Sequence, residues 1–270
     1  MHRDLQDVEF TIFDTETTGL DPNSGDRIVE IAAIKIKGSE RGAVFQSLVN
    51  PRREISFPAF QVNHISQDML RDAPPIEKIM PDFLGFIENS CLCSYNAGFD
   101  LGFLNNELAL TGKGALRDII VVDILKMARR IMPKLERHAL WFVANSLGIN
   151  IRQEHRALAD VELTIAVFEQ LTDILRQKGI HDFEALTRLF SINYTLPNDQ
   201  RIIQIQQAID LGVKLRIKYL STKDAQVTER EILPKEIQQE RNNAYLIAHC
   251  YLKNEERTFR IDGILHFEII

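Results

Sequence analysis

The sequence predicts an α/β unit, a mixed β-sheet flanked by helices, followed by a small all-β unit. Three observations carry this. β-prone runs open the chain at residues 8–13, 27–36 and 43–49, and short apolar strands then alternate with helix-length segments to about residue 178. A polar, Pro-bearing stretch falls within residues 179–199. Beyond it, five short strands follow one another with turn residues between them, the pattern of a small barrel or rolled sheet. The expected organisation is residues 1–178, a linker over 179–199, and residues 200–270.

The elements follow in order. Val8 to Phe13 is the opening strand, and Asp21-Pro22-Asn23-Ser24-Gly25-Asp26 is a turn cluster. Residues 27–36 and 43–49 pair around a tight turn at Gly38, so the first three strands form an antiparallel meander. Short helical pieces are expected at 58–63 and 66–70, and a better helix at 76–88, where Ile76, Ile79, Met80, Phe83 and Ile87 keep helical spacing while Pro75 and Pro81 flank or interrupt it. Strands at 91–95 and 119–122 alternate with helices at 99–110, 123–131, 138–147 and 158–176. Gly148 suits a helix C-cap. Another helix is expected at 181–189 and a short one at 201–210, before strands at 213–220, 227–233, 244–252, 257–261 and 264–270.

With 45% hydrophobic and 26% charged residues, the 270-residue chain has the balance of a soluble globular protein. It has no apolar run long enough for a membrane span and no signal-peptide core at its start. Cys91, Cys93 and Cys250 make neither a paired framework nor a zinc pattern. They read as buried thiols of a reducing, cytoplasmic compartment. Net charge is −6: residues 200–270 carry 11 Lys+Arg against 10 Asp+Glu, and the first 199 carry 21 against 28. An acidic first unit argues against broad duplex binding by phosphate neutralisation. It leaves room for an enzyme that grips one strand end and recruits its positive charge as metal ions.

The chemistry-bearing stretch is Phe13-Asp14-Thr15-Glu16-Thr17-Thr18-Gly19-Leu20. Strand side chains alternate faces, so Asp14 and Glu16 point the same way. Two adjacent carboxylates repel, and a divalent cation with a taste for oxygen, Mg²⁺ or Mn²⁺, would relieve both repulsion and desolvation. As a lone Asp-x-Glu, this is more often a solvated strand end. Three other stretches change the balance: Asn96-Ala97-Gly98-Phe99-Asp100, where Asp100 opens a helix after a strand; His155-Arg156-Ala157-Leu158-Ala159-Asp160; and Asn63-His64-Ile65-Ser66. Singly, Asp100 reads as a helix-dipole acid, Asn96 and Ser66 as caps, and His64 and His155 as surface histidines.

Together these stretches resemble the DnaQ-like, or DEDDh, 3′→5′ exonucleases of the RNase H-like fold, and most of all the proofreading exonucleases of bacterial replicative polymerases. The resemblance covers about residues 7–176, with Asp14-x-Glu16, Asn96-x-x-x-Asp100 and His155-x-x-x-x-Asp160 in the family's order. It implies that Asp14, Glu16, Asp100 and Asp160 hold two divalent cations. It also implies that His155 takes the proton from the attacking water, a task suited to histidine near neutral pH, and that a nucleoside 5′-monophosphate is released. Thr15, Thr17, Gly19, Leu20, His64 and Asn96 fall where the family holds the terminal nucleotide. The partners implied are single-stranded or frayed 3′ ends and a DNA polymerase or repair protein.

From about residue 203 the chain resembles a WYL domain, a small SH3/Sm-like β-barrel, through Ile217-Lys218-Tyr219, Arg230-x-x-x-Pro234, Ala244-Tyr245-Leu246 and Arg257-Thr258-Phe259-Arg260-Ile261. It departs at Ala244, where tryptophan is usual, and at Gly263, where arginine is common. Tyr219, Arg230, Tyr245, Arg257 and Arg260 mix aromatics with guanidiniums, which suits nucleotide or single-strand binding; packing tyrosines and solvated arginines are the plainer alternative. The expected protein is a metal-dependent 3′→5′ exonuclease with a regulatory or ligand-binding barrel. The competing expectation is a nucleic-acid-binding or polymerase-associated module that uses the nuclease fold for recognition only.

Overall fold

The computed structural model describes residues 3–116, 119–151, 153–192, 200–240 and 243–270. The first sheet contains β1 (Glu9–Thr17), β2 (Ile28–Lys37), β3 (Glu40–Leu48), β4 (Cys91–Ser94) and β5 (Val121–Asp123), in the order β3-β2-β1-β4-β5. β1, β2 and β3 pair antiparallel, whereas β4 and β5 run parallel to β1. The expected mixed sheet is therefore present, and Gly38 turns the meander with φ of 57°.

Helices cover both faces. α1 (Phe57–Asn63), α2 (Gln67–Leu70), α3 (Ile76–Ile87) and α4 (Ala97–Leu110) come first, then α5 (Ile124–Ile131), α6 (Leu140–Ser146), α7 (Ala157–Gln177) and α8 (Phe183–Phe190). Alternation along the central strands sorts the core into two layers. Phe10, Ile12, Ala32 and Ile34 pack against α5, α7 and α8, while Phe13, Ile31 and Ala33 pack against α3 and α4. α3 runs through Pro81 without breaking, because Met80, Phe83 and Ile87 anchor its inner face in the core.

α9 (Gln200–Leu211) leads into a second sheet, antiparallel throughout: β6 (Leu215–Leu220), β7 (Val227–Glu240), β8 (Asn243–Cys250), β9 (Glu255–Arg260) and β10 (Ile264–Ile269), ordered β10-β6-β7-β8-β9. β7 extends beyond the expected strand at 227–233. After a register shift between Pro234 and Glu236 its polar continuation pairs with β8 up to Glu240. That stretch lacks apolar alternation, so backbone pairing and not side-chain pattern makes it a strand. The linker expected over 179–199 is not one throughout: residues 183–190 form α8, whose Ala185, Leu186, Leu189 and Phe190 pack into the first core, and residues 193–199 lie outside the described residues, as do Arg241 and Asn242 of the expected turn before β8.

The two sheets meet at a seam. Leu220 is fully buried within the first core, and Val227 and Leu265 pack against it. Arg130 of α5, 7% exposed, donates from Nη2 to the Leu220 carbonyl at 3.1 Å and lies 3.6 Å from the Asp262 carboxylate. Gly263 makes this possible: a Cβ there would sit 2.4 Å from Arg130 Nη2 and 2.8 Å from the Tyr219 ring.

Candidate active site

Asp14 and Glu16 lie on one face of the β1 end, and Asp160 lies in the first turn of α7, which packs on that face. One carboxylate oxygen from each falls within 4.8 Å of the others. Three acids this close, in a partly dehydrated place, resist ionisation. Burial, then repulsion by Asp100, Glu16 and Asp160, holds Asp14 well above the usual carboxylate range. Burial and repulsion by Asp160 push Glu16 up to about 8. Asp160 is raised by burial, although Gln153 and His155 act against it.

Asp100 approaches from the other face of β1. It is 2% exposed, and its Oδ1 accepts the Thr15 amide at 3.0 Å and the Thr15 hydroxyl at 2.7 Å. Its Oδ2 accepts the Ser94 hydroxyl at 2.5 Å. Burial still pushes it up to about 6. So Asp14, Glu16 and Asp160 come together, while Asp100 abuts them across the strand and is spent on hydrogen bonds.

His155 precedes α7 in a left-handed backbone conformation, φ 52°. Its Nδ1 is 3.9 Å from Asp160 Oδ2, and its side chain is 46% exposed to solvent. Gln153 donates to the same Asp160 oxygen at 2.7 Å, whereas Asp160 Oδ1 is buried without a partner.

The Thr-Thr-Gly-Leu turn forms a shelf beside the acids. Thr18 is buried and bridges to Asp26, while Thr17 donates to the Gly19 carbonyl. Gly19 is required by close approach, since a Cβ would fall 2.3 Å from Asp26 Oδ2. Leu20 projects outward, 84% exposed. Asn63 ties α1 to this shelf by donating to the Thr17 carbonyl at 3.3 Å, and His64 follows as the left-handed C-cap, φ 55°. Asn96 is the left-handed residue before α4, φ 68°. Thr15 is placed differently from its neighbours: its hydroxyl and amide are engaged by Asp100.

In the second sheet, Tyr219, Arg230 and Arg257 line a groove of about 830 Å³ together with Thr228, Lys253 and Glu255. Arg260 is held by Asp262 and by Asn243 at 2.9 Å, and Tyr245 pairs across from it on β8.

Two residues that sequence reasoning passed over complete the site. Glu30 of β2 is fully buried opposite Glu16 in the register, and Arg156 follows His155. Arg156 donates to Glu30 from Nε at 3.0 Å and Nη2 at 2.8 Å; Ala157 N and Gln46 Nε2 each add a bond at 3.1 Å. Burial opposes ionisation, but these bonds win and hold Glu30 below the usual range. The available signal was a single acid in the otherwise apolar run Ile28-Val29-Glu30-Ile31-Ala32-Ala33-Ile34.

Among the described residues, no lysine or arginine ion-pairs with Asp14, Glu16, Asp100 or Asp160, yet the buried Glu30 and Glu107 each have an arginine. An all-oxygen donor set, acids reluctant to ionise and an unpartnered Asp160 oxygen fit hard divalent cations.

Comparison with known proteins agrees. Residues 11–168 match the family model for exonucleases, and residues 200–269 match that of WYL domains. The PolC-type DNA polymerase III of Staphylococcus saprophyticus is 35% identical over 196 residues, which are 73% of this chain and 13% of that protein. Its Staphylococcus haemolyticus counterpart is 33% identical over 189 residues, 70% of this chain and again 13% of the relative. The chain thus spans only a small part of these relatives. Among solved structures, Exonuclease X in complex with 5′-overhanging duplex DNA is 27% identical with TM-score 0.51, over 63% of this chain and 93% of that one. The nuclease domain of 3′hExo, a DEDDh family member bound to rAMP, shares the fold with TM-score 0.56 at 17% identity, over 66% of this chain and 96% of that one.

Proposed function

Because the chain belongs to the exonuclease family that residues 11–168 match, we propose that it removes nucleotides one at a time from nucleic-acid 3′ ends. The reaction is phosphodiester hydrolysis releasing nucleoside 5′-monophosphates. The observation that carries this is the cluster of Asp14, Glu16 and Asp160 within 4.8 Å, with no lysine or arginine paired to it among the described residues.

Asp14, Glu16 and Asp160 would hold Mg²⁺ or Mn²⁺, with Asp100 completing the negative charge around them. When bound, such cations supply Lewis acidity toward the scissile phosphate and the leaving 3′ oxygen. The chain's own residues do the rest. His155, solvent-accessible and next to Asp160, accepts the proton of the attacking water. The Thr17–Leu20 shelf, His64 and Asn96 seat the terminal nucleotide, with Leu20 offering an apolar contact to its base. Thr15 acts indirectly, by holding Asp100.

The DNA bound to Exonuclease X supports DNA 3′ ends as substrate, and the likeness to PolC-type polymerases supports work alongside DNA synthesis or repair. The exonuclease unit is residues 1–178 with α8 added to its core, and residues 200–270 form the ligand-binding unit. There the groove of Tyr219, Arg230 and Arg257 would take an anionic ligand of the nucleotide class. No described helix is long and apolar enough to cross a membrane.

The test is degradation of 5′-labelled single-stranded DNA, duplex DNA, short RNA and dinucleotides, with Mn²⁺, Mg²⁺ or EDTA. A ladder shortening from the 3′ end, mononucleotide release, and loss of both in Asp14→Ala are expected. Strand binding in Mn²⁺ with no mononucleotide released would establish the recognition-only alternative.

A further inference from the structure

The geometry points to Glu30 and Arg156 as a positioning pair: together they fix the backbone that presents His155 and Asp160 to the site. The inference rests on the assignment of His155 as the base.

Four relationships support it. First, Glu30 sits on a strand paired on both sides. It lies in the interior of β2 between β1 and β3, opposite Glu16 and fully buried. Second, its two oxygens receive four hydrogen bonds, three of them from Arg156 and Ala157. A bidentate guanidinium fork fixes direction as well as distance. Third, Arg156 is the N-cap residue of α7 and makes no capping bond of its own. The Glu30 carboxylate supplies that cap from another strand by accepting the Ala157 amide, so the helix that carries Asp160 begins where Glu30 allows. Fourth, His155 is a non-glycine residue with φ of 52°, a conformation that persists only where its surroundings impose it. The residue that follows it is the clamped arginine.

Glu30 also differs from the cluster acids in having its own cation. It lies outside the group of Asp14, Glu16 and Asp160. It holds the turn so that the first turn of α7 delivers Asp160 to Asp14 and Glu16, with His155 Nδ1 3.9 Å from Asp160 Oδ2. Glu107 makes the analogous bond to Arg27 on the other side of β2, but its second anchor is the Ile28 amide at the strand's start, far in sequence from either the base or an acid of the cluster.

The test is a double-mutant cycle in metal-loaded full-length enzyme, reading kcat and KM on a single-stranded oligonucleotide. Arg156→Ala and Glu30→Gln should lower kcat roughly 10–100-fold with KM changed less than about threefold, because a positioning loss falls on the reaction step. Arg156→Lys keeps the charge without the fork and should recover only part of the rate. In a His155→Ala background, Arg156→Ala should cost clearly less than in wild type, since one of the two groups it positions is already gone, and the loss that remains reports on Asp160. Equal losses in both backgrounds overturn the positioning of His155 while leaving His155 as base. A His155→Ala enzyme at full rate overturns the base assignment and this inference with it. Unchanged kcat with only a lower melting temperature reduces the pair to a structural clamp. If Arg156→Ala does not fold, Arg156→Lys and Glu30→Gln complete the same cycle.

Discussion

The Asp100 carboxylate accepts both the amide and the hydroxyl of Thr15, at 3.0 and 2.7 Å, so the acid of α4 is locked to the middle of the Asp-Thr-Glu tripeptide from behind. The residue between the two cluster acids thus sets where the fourth acid stands. Thr15→Val removes the hydroxyl and leaves the amide. Those hydrogen bonds pull the Asp100 titration down against burial, so their partial loss should move it above about 6. The pH–rate profile of Thr15→Val should start at higher pH than wild type. Loss of a buried bond to a charged acceptor should also destabilise the fold by about 1.5–3 kcal/mol, read by denaturant titration.

Asp14 is held in the fold at an electrostatic disadvantage, with burial and four neighbouring carboxylates all opposing its charge. Asp14→Asn should therefore abolish turnover yet raise the melting temperature of metal-free protein, the trade-off expected where function needs an unfavourable constellation. Wild type should gain thermal stability with Mn²⁺, and the variant should gain far less. Calorimetry with and without EDTA checks both.

For the metal-free protein, pH acts in a definite direction. Glu16 titrates near 8 and Asp100 near 6 in the fold, both above their unfolded values of 4.5 and 3.8. Stability linked to their protonated forms is complete below those unfolded values and is lost as pH rises through about 6 and then about 8. Melting temperature in EDTA should fall across that window. Binding of a divalent cation must displace these protons, so apparent Mn²⁺ affinity should rise over the same window. A melting temperature in EDTA that rises from pH 5 to 8 would contradict the assignment.

At the seam, Gly263→Ala would drive a methyl group into Arg130 and Tyr219 and should cost about 1–3 kcal/mol. In an Arg130→Ala background the same change should cost clearly less, since the nearest clash is gone. Additive losses in a four-variant denaturation series would mean that Tyr219 and the Leu220 carbonyl, 2.8 and 3.2 Å from the added atom, set the penalty.

The parts of the site legible in sequence were those encoded by local periodicity. Asp14 and Glu16 share a face because strands alternate, and Asp160 faces them because it opens a helix that packs on that face. Asp100 was legible as a member of the set but not as a residue tied to Thr15, since that bond spans 85 positions and crosses the strand. Glu30 and Arg156 were missed for the same reason: their partnership, 126 positions apart, exists only once β2 and α7 have packed. The strand extension of β7 beyond Pro234 was illegible because its pairing is carried by backbone groups under polar side chains. The helix over residues 76–87 was legible despite Pro81, because its apolar stripe of Ile76, Met80, Phe83 and Ile87 outweighs one missing amide.

The Arg130–Gly263 contact also bears on how such a chain can be rebuilt. A C-terminal module grafted onto this exonuclease would have to offer a residue without a side chain at the Gly263 position, a carboxylate just before it, and a free strand-end carbonyl at Leu220. It would also have to plug Leu220's socket with a side chain of similar size. The fusion is therefore keyed: homologous modules bearing arginine at that position would meet a guanidinium with their own, and exchange would require changing residues on both sides of the join at once.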